Sequence, residues 1–254
     1  MSTEHYNPFS LEGKNILVTG ASSGIGAATA IECSKLGANV TVTGRNEERL
    51  LVTFQHLVSV FPSQKHAMFC ADLTSEEDLS FLVENVDALD GLVNNAGVNR
   101  IKPVSFIKNE DLEFIFQSNT FSSVNLTRML LRKKKLKKNS SIVFTSSISA
   151  FFNAPGRALY ASSKAAITSF MRSFAVELAD KNIRANAVHP GMVETNMNAG
   201  KFTEEEKNRD LASYLLKRYG KPEEIAWAII FLLSDASSWT TGTSLTIDGG
   251  FMLK

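Results

Sequence analysis

Tyr160 and Lys164 stand four residues apart in Tyr160-Ala161-Ser162-Ser163-Lys164, a spacing that puts both on one face of a helix. An ammonium beside a phenol favours the phenolate and lowers the phenol pKa from its usual value of about 10. A tyrosine tuned in this way is a general acid able to protonate a carbonyl oxygen. Thirteen residues before Tyr160 lies Ser147, just after the apolar run that ends at Ser146. Its hydroxyl is placed to hold the same carbonyl, or to close a turn. Asn119 falls in a helical pattern although asparagine forms helices poorly. It reads either as a surface residue or as the partner of a water that leads protons to Lys164.

A second constellation suits an anion. The run 15–19 leads straight into Gly20-Ala21-Ser22-Ser23-Gly24-Ile25-Gly26, and an apolar helical pattern follows. Glycines at such a junction allow a tight turn and close backbone approach, while the first N–H groups of the helix and its dipole face a phosphate. A dinucleotide pyrophosphate matches that geometry. The Gly-x3-Gly-x-Gly spacing differs from the G-x-G-x-x-G fingerprint, and a plain strand-to-helix turn is the other reading. About 20 residues on, where an acid would bind a ribose 2′-hydroxyl, the chain has Gly44-Arg45-Asn46. A guanidinium without a competing carboxylate suits a 2′-phosphate, so NADP(H) is expected, with NAD(H) as the lesser option. Asp72 and Leu73 follow the third apolar run, where the carboxylate suits an adenine amino edge or a helix N-cap. Asn94-Asn95-Ala96-Gly97 closes the fourth run and is small and polar enough to lie against a ribose.

Such groups need a scaffold whose strand ends converge. β-Rich runs at 15–19, 39–43, 66–70, 89–94, 141–146, 183–189 and 244–248 alternate with helical patterns at 26–36, 47–61, 75–85, 162–180 and 222–233. The early runs are nearly continuous in apolar or β-branched residues, as in strands covered on both faces. Right-handed crossovers then give an α/β fold, a doubly wound parallel sheet with helices on both faces. One domain over 1–254 is expected, with 1–10 as an N-terminal extension and 191–218 as a lid over the site. Composition is 44% hydrophobic and 21% charged, and 27 basic against 26 acidic residues leave a net charge of +1. That balance removes any whole-protein electrostatic argument for nucleic acid or an anionic membrane. No run approaches the roughly eighteen apolar residues of a membrane span, and the N-terminus lacks a secretory pattern. A soluble, cytoplasmic protein is expected, with Cys33 and Cys70 as buried free thiols. His5, His56, His66 and His189 show no ligand spacing, so no metal is expected.

In this order the motifs resemble those of the short-chain dehydrogenase/reductase family in its compact form. The match runs from about Leu11 to the C-terminus and takes in Thr19-Gly20-x3-Gly24-Ile25-Gly26, Asn94-Asn95-Ala96-Gly97, Asn119, Ser147, Tyr160-x3-Lys164 and Pro190-Gly191-x2-Glu194-Thr195. The resemblance implies a Rossmann-type sheet of seven strands, order 3-2-1-4-5-6-7, and hydride transfer between a nicotinamide and a carbonyl or alcohol. It implies that Tyr160 is the general acid/base, that Ser147 positions the substrate oxygen, and that Lys164 binds the nicotinamide ribose and tunes Tyr160. Asn119 would support a proton-relay water. Ser22, Ser23, Ile25, Asn95, Gly97, Pro190, Gly191, Val193 and Thr195 would join the cofactor site, the last two at the carboxamide. A homotetramer or homodimer is implied as well.

Within the family, Val193-Glu194-Thr195-Asn196-Met197 and the ending Thr241-Gly242-Thr243-Ser244-Leu245-Thr246-Ile247-Asp248-Gly249-Gly250 resemble the 3-oxoacyl-[acyl-carrier-protein] reductases most. The implied activity is reduction of a ketone, with a carrier-protein- or CoA-bound 3-oxoacyl chain among the candidates. Oxidation of a sugar, steroid or other secondary alcohol is the alternative, and a non-catalytic NADP(H)-sensing protein the rival of another class. The chain also departs from that group. Ser23 stands where a basic residue is frequent, which leaves a phosphate grip to Arg45, and Leu159 replaces a commonly polar residue. Phe151, Phe152, Asn153 and Arg157 are bulkier than a carrier-protein reductase would have.

Other features have more than one reading. Phe151, Phe152, Met192, Met197 and Phe202 suit an apolar wall near the nicotinamide or ordinary core filling. Arg100 and Arg157 suit solvated arginines or anchors for an anionic substrate. The run Arg132-Lys133-Lys134-Lys135-Leu136-Lys137-Lys138 suits the cationic end of a long helix, or a dock for an acidic carrier protein. Nucleic-acid binding by that run is a remoter reading.

Overall fold

Successive side chains along a strand point to opposite faces, and the apolar runs use that alternation to build two cores. The computed structural model describes residues 6–195 and 203–253. Its first half contains β1 (Asn15–Thr19), α1 (Gly24–Lys35), β2 (Asn39–Gly44), α2 (Glu47–Val60), β3 (Ala67–Cys70), α3 (Glu76–Asn85) and β4 (Leu89–Asn94). Then come α4 (Asn109–Phe116), α5 (Ser122–Arg132), β5 (Leu136–Thr145), α6 (Ala158–Glu177), β6 (Arg184–Pro190), α7 (Glu204–Leu211), α8 (Pro222–Leu233) and β7 (Ser244–Ile247). A π-helical turn over Gln117–Phe121 joins α4 to α5.

All seven strands pair in parallel in the order β3-β2-β1-β4-β5-β6-β7, the order the resemblance implies. Ile16 and Val18 face one side with Val40, Val42 and Val93, where Cys33 of α1 and Ile225 and Ile229 of α8 cover them. Leu17 faces the other side with Leu92, Ile142 and Phe144, beneath Leu82 of α3, Leu126 of α5 and Met171 of α6. The chain walks outward from β1 to β3, then returns to place β4 on the other side of β1. Their carboxyl ends diverge at that reversal, and a crevice opens there.

Several boundaries differ from the sequence reading. Helix α6 begins at Ala158 rather than 162, which puts Tyr160 in its first turn. Strand β5 begins at Leu136, so the basic run does not simply end a helix. Helix α5 stops at Arg132, Lys134 takes a positive φ of 56°, and Lys137 and Lys138 already lie in β5. Lys135 donates to the carbonyls of Glu84 (3.0 Å) and Val86 (2.7 Å) at the end of α3, and Lys137 pairs with Asp90 at 2.7 Å. The run therefore ties β5 to its neighbours at the amino edge of the sheet. Cys33 is buried, but Cys70 is exposed because β3 is an edge strand.

The segment expected as an irregular lid contains α7, capped by reciprocal bonds between Thr203 and Glu206. Tyr214 from it and Tyr219 just after it are buried. Asn196, Met197 and Phe202 lie outside the described residues, as does His5 of the expected extension. The described part of that extension is docked: Ala236 N donates to Pro8 O at 2.9 Å, and Phe9 packs against Phe231 with ring centroids 6.4 Å apart.

Phe144 is fully buried at the centre of β5 and stacks on Phe174 of α6 at 5.9 Å. Phe144→Ala leaves a cavity in that layer and is expected to cost roughly 3–5 kcal/mol. A lower urea midpoint with an unchanged slope is the expected signature; an unchanged midpoint would refute this packing.

Candidate active site

A cleft of about 530 Å³ runs across the carboxyl ends of the central strands. At one end lie Arg45 and Arg49, beside Asp72, Leu73 and Thr74 that follow β3; at the other are Ser147, Tyr160 and Lys164. Gly20, Ser22, Ser23, Gly24 and Ile25 line its middle, opposite Asn95, Gly97, Pro190, Gly191, Val193 and Thr195. Of the residues expected to hold a cofactor only Gly26 does not line it. A Cβ at Gly26 would sit 2.3 Å from the Gly20 carbonyl, so Gly26 lets α1 close on its own entry turn. Gly20 has φ 64°, and its Cβ would sit 2.9 Å from Ala96 Cα, so it needs glycine for both reasons.

The amino end of α1 differs from those of α2 and α3. Asn46 and Ser75 cap α2 and α3 through their side chains, and both helices carry acids in the first turn. Helix α1 has no side-chain cap and no acid there. Its free N–H groups and dipole therefore face the cleft without a protein partner, an arrangement that fits a phosphate. Thr145 Oγ1 and Asn99 Oδ1, on residues lining the cleft, are buried without a hydrogen-bond partner. The residues present thus fit a dinucleotide along their whole length.

Asp72 does not cap α3, since Ser75 does. Its Oδ1 accepts from Thr74 N (2.9 Å) and Thr74 Oγ1 (2.7 Å). Burial pushes the Asp72 carboxyl up, but the Thr74 bonds and the Arg45 charge together hold it below its usual value.

At the other end, Lys164 Nζ donates to Thr145 O at 2.8 Å and stands 5.8 Å from the Tyr160 ring centre. Burial lowers the Lys164 pKa to about 8. Ser147 bonds the Tyr160 phenol through its side chain, and its Oγ also accepts from Ser149 N at 3.1 Å, so turn and site uses coexist. The expected lowering of the Tyr160 pKa is reversed. Burial pushes the phenol above 10, and the Ser147 bond and the Arg157 charge only partly oppose it.

Asn119 is buried rather than on the surface. Its Oδ1 accepts from Val98 N (2.7 Å), and its Nδ2 donates to Val98 O (2.9 Å) and Ser163 Oγ (3.0 Å). The π-helical turn supplies the offset that aims it inward. A Cβ on Gly97 would fall 3.2 Å from Asn119 Oδ1 and 3.3 Å from Lys164 Nζ, so the three groups meet around one point.

The other candidates separate. Phe151 stacks on His189 (4.5 Å) and Phe152 meets Phe251 edge-on (5.3 Å); neither they nor Met192 line the cleft. Arg100 is held by Asp111 at 2.6 Å. Sequence reasoning missed Arg49, although it lies one helical turn beyond Arg45. It also missed Thr145, Ser118 and Ser122, which carried no signal of their own. Among the described residues no group of three His, Cys, Asp or Glu could hold a metal ion, and no helix is long and apolar enough to cross a membrane.

Sheet order, crevice and glycine turn together define a doubly wound dinucleotide-binding protein. A family model described as enoyl-(acyl carrier protein) reductase matches residues 20–252. The chain is 37% identical over 247 residues to a 3-oxoacyl-[acyl-carrier-protein] reductase of Thermotoga maritima, covering 96% of this chain and 99% of that one. It is 35% identical to a glucose 1-dehydrogenase of Gluconobacter oxydans, over 95% of this chain and 92% of that one. A short chain dehydrogenase from Burkholderia cenocepacia solved in complex with NADP superposes with a TM-score of 0.89 at 30% identity, over 97% of this chain and 100% of that one. The protein belongs to the short-chain dehydrogenase/reductase family, enzymes of oxidation and reduction that bind a nicotinamide cofactor.

The buried Lys164 generates a pH signature. A lysine whose folded pKa falls to about 8 from 10.5 binds its proton less tightly when folded. Its penalty on stability is fully present below pH 8 and is relieved as pH rises toward 10.5. Stability of the wild type relative to Lys164→Met should therefore rise across that window in chemical denaturation. A flat difference would refute a buried ammonium.

Proposed function

We propose that the protein is an NADP(H)-dependent reductase that converts a ketone to a secondary alcohol, with Tyr160 as the acid. The observation that carries this reading is the convergence of Ser147, Tyr160 and Lys164 at one end of a cleft whose other end carries Arg45 and Arg49. The cofactor, when bound, supplies the hydride. Ser147 Oγ donates to the substrate carbonyl oxygen and fixes it beside the Tyr160 phenol, which gives up its proton to that oxygen. The Tyr160 phenol, pushed up by burial, carries the proton to be donated. Lys164 is mostly an ammonium at pH 7, and its charge stabilises the phenolate as the proton leaves. Asn119 holds the Val98 backbone and Ser163 around Lys164, where a relay water could be held.

Arg45 and Arg49 support NADP(H) over NAD(H), since two guanidinium groups face the adenosine end. A 3-oxoacyl thioester is a candidate substrate through the Thermotoga relative, and an alcohol of the sugar class through the Gluconobacter one. Docking of a carrier protein on the run 132–138 loses support. The run enters β5 at its first residue, Leu136, while the cleft opens beyond Thr145. At about 3.3 Å per residue that is roughly 30 Å away.

Two measurements test this reading. NADPH oxidation with acetoacetyl-CoA and with small ketones is expected to fall at least about a hundredfold in Tyr160→Phe, while NADPH fluorescence shows binding retained. Full turnover in Tyr160→Phe overturns the assignment, and binding without turnover of any carbonyl by the wild type points to the sensing protein. Arg45→Ala and Arg49→Ala should each cut the preference for NADPH over NADH about tenfold. Equal losses for both cofactors would remove these residues from a 2′-phosphate site.

A further inference from the structure

We propose that Arg157 is the anchor of a substrate anion, so that the favoured substrate is a ketone carrying a carboxylate or phosphate a few bonds from its carbonyl. This rests on the reductase reading and names its substrate class.

Three cations, Arg100, Lys102 and Arg157, lie on two loops that touch, and one carboxylate serves the first two. The loop after β4 is bonded to the loop before α6, with Lys102 N donating to Gly156 O at 2.8 Å. Arg100 and Lys102 both pair with Asp111, and their bonds, with one from Lys108 N, pull its carboxyl down to about 2. Arg157 is left over. Among the described residues it has no ion pair, and its own helix offers no acid within four positions. Asp210 and Asp248 also act on Tyr214, but neither pairs with Arg157: both Asp248 oxygens accept backbone N–H groups, from Gly250 and Met252, and Asp210 lies against Tyr219 with Oδ2 buried and unpartnered. Partly exposed and without an ion pair among the described residues, the guanidinium is open to an anion from solution.

Its place is the substrate side of the site. Arg157 is the N-cap residue of α6, three residues before Tyr160, where the helix dipole adds positive potential. It does not line the cofactor cleft. Its charge acts on both Tyr160 and Tyr214. Tyr214 packs on Phe251 (5.0 Å), which meets Phe152 (5.3 Å), so the tyrosine that feels the Arg157 charge belongs to an apolar cluster. An anion, a short carbon stem and a ketone match the three in turn.

The test compares 4-oxopentanoate, its methyl ester and 4-oxopentyl phosphate, with 9,10-phenanthrenequinone as a neutral carbonyl that reports NADPH turnover itself. Wild type should prefer one or both anions to the ester by about tenfold or more in kcat/KM. Arg157→Gln should abolish that ratio and Arg157→Lys restore part of it, and the better anion identifies carboxylate or phosphate. Equal use of ester and anions by the wild type, or a preference that survives in Arg157→Gln, overturns the proposal while quinone turnover keeps the reductase reading. If no carbonyl is turned over, the reductase reading falls, and calorimetry of the same three compounds on the NADP+-loaded protein decides the site. Tighter binding of anions lost in Arg157→Gln sustains it, and equal or undetected binding removes it.

Discussion

Everything in the site hangs on how closely the ends of β1 and β4 can be brought together. Thr19 Oγ1 donates to Val93 O and accepts from Asn95 N and Ala96 N, which uses its full hydrogen-bonding capacity. Asn95 Nδ2 returns a bond to Thr19 O at 3.1 Å. This clamp presses the loop after β4 against the glycine turn, which is why Gly20 has no room for a Cβ. With the turn held there, α1 leaves the sheet at an angle that exposes its first N–H groups to the crevice. A phosphate site and a ribose shelf follow from one set of backbone contacts.

The reactive end rests on a different economy, the burial of charge. Among the described residues Lys164 Nζ hydrogen-bonds only to the Thr145 carbonyl, and burial brings its pKa down to about 8. Tyr160 is pushed the opposite way by the same cause. Desolvation thus inverts the order of phenol and ammonium and moves the two apart, raising the tyrosine and lowering the lysine. Asn119 and Ser146 hold the helix around that pair: Ser146 Oγ donates to Lys164 O at 2.9 Å, and Asn119 reaches Ser163. His189 Nδ1 meets the Ser147 carbonyl at 3.0 Å and Phe151 covers its ring, which steadies the strand end carrying Ser147.

The fold was largely legible because its determinants are local. Runs such as 15–19 and 89–94 announce doubly covered strands by composition, and the glycine turn and Tyr160-x3-Lys164 carry their chemistry within a few residues. The errors fell where distant groups compete. The basic run looked like a helix end, but Lys135 satisfies carbonyls of α3 and Lys137 pairs with Asp90, so the chain turns early and starts β5 five residues ahead of the predicted strand. Cys70 looked buried because its neighbours are apolar, yet it ends an edge strand.

By itself, then, the sequence determined the order of strands and helices, the turn that meets a phosphate and the identity of the groups able to move a proton. Those depend on periodicity, glycine conformational freedom and spacing along one helix. Only the tertiary structure decided which charges remain available. Arg100 and Arg157 are indistinguishable as letters, but the fold pairs Arg100 with Asp111 and gives Arg157 no ion pair among the described residues. It likewise turned the Tyr160 pKa upward and set the lysine run at the far edge of the sheet. Ion pairing and desolvation arise from contacts between residues far apart in the chain, and no local pattern contains them.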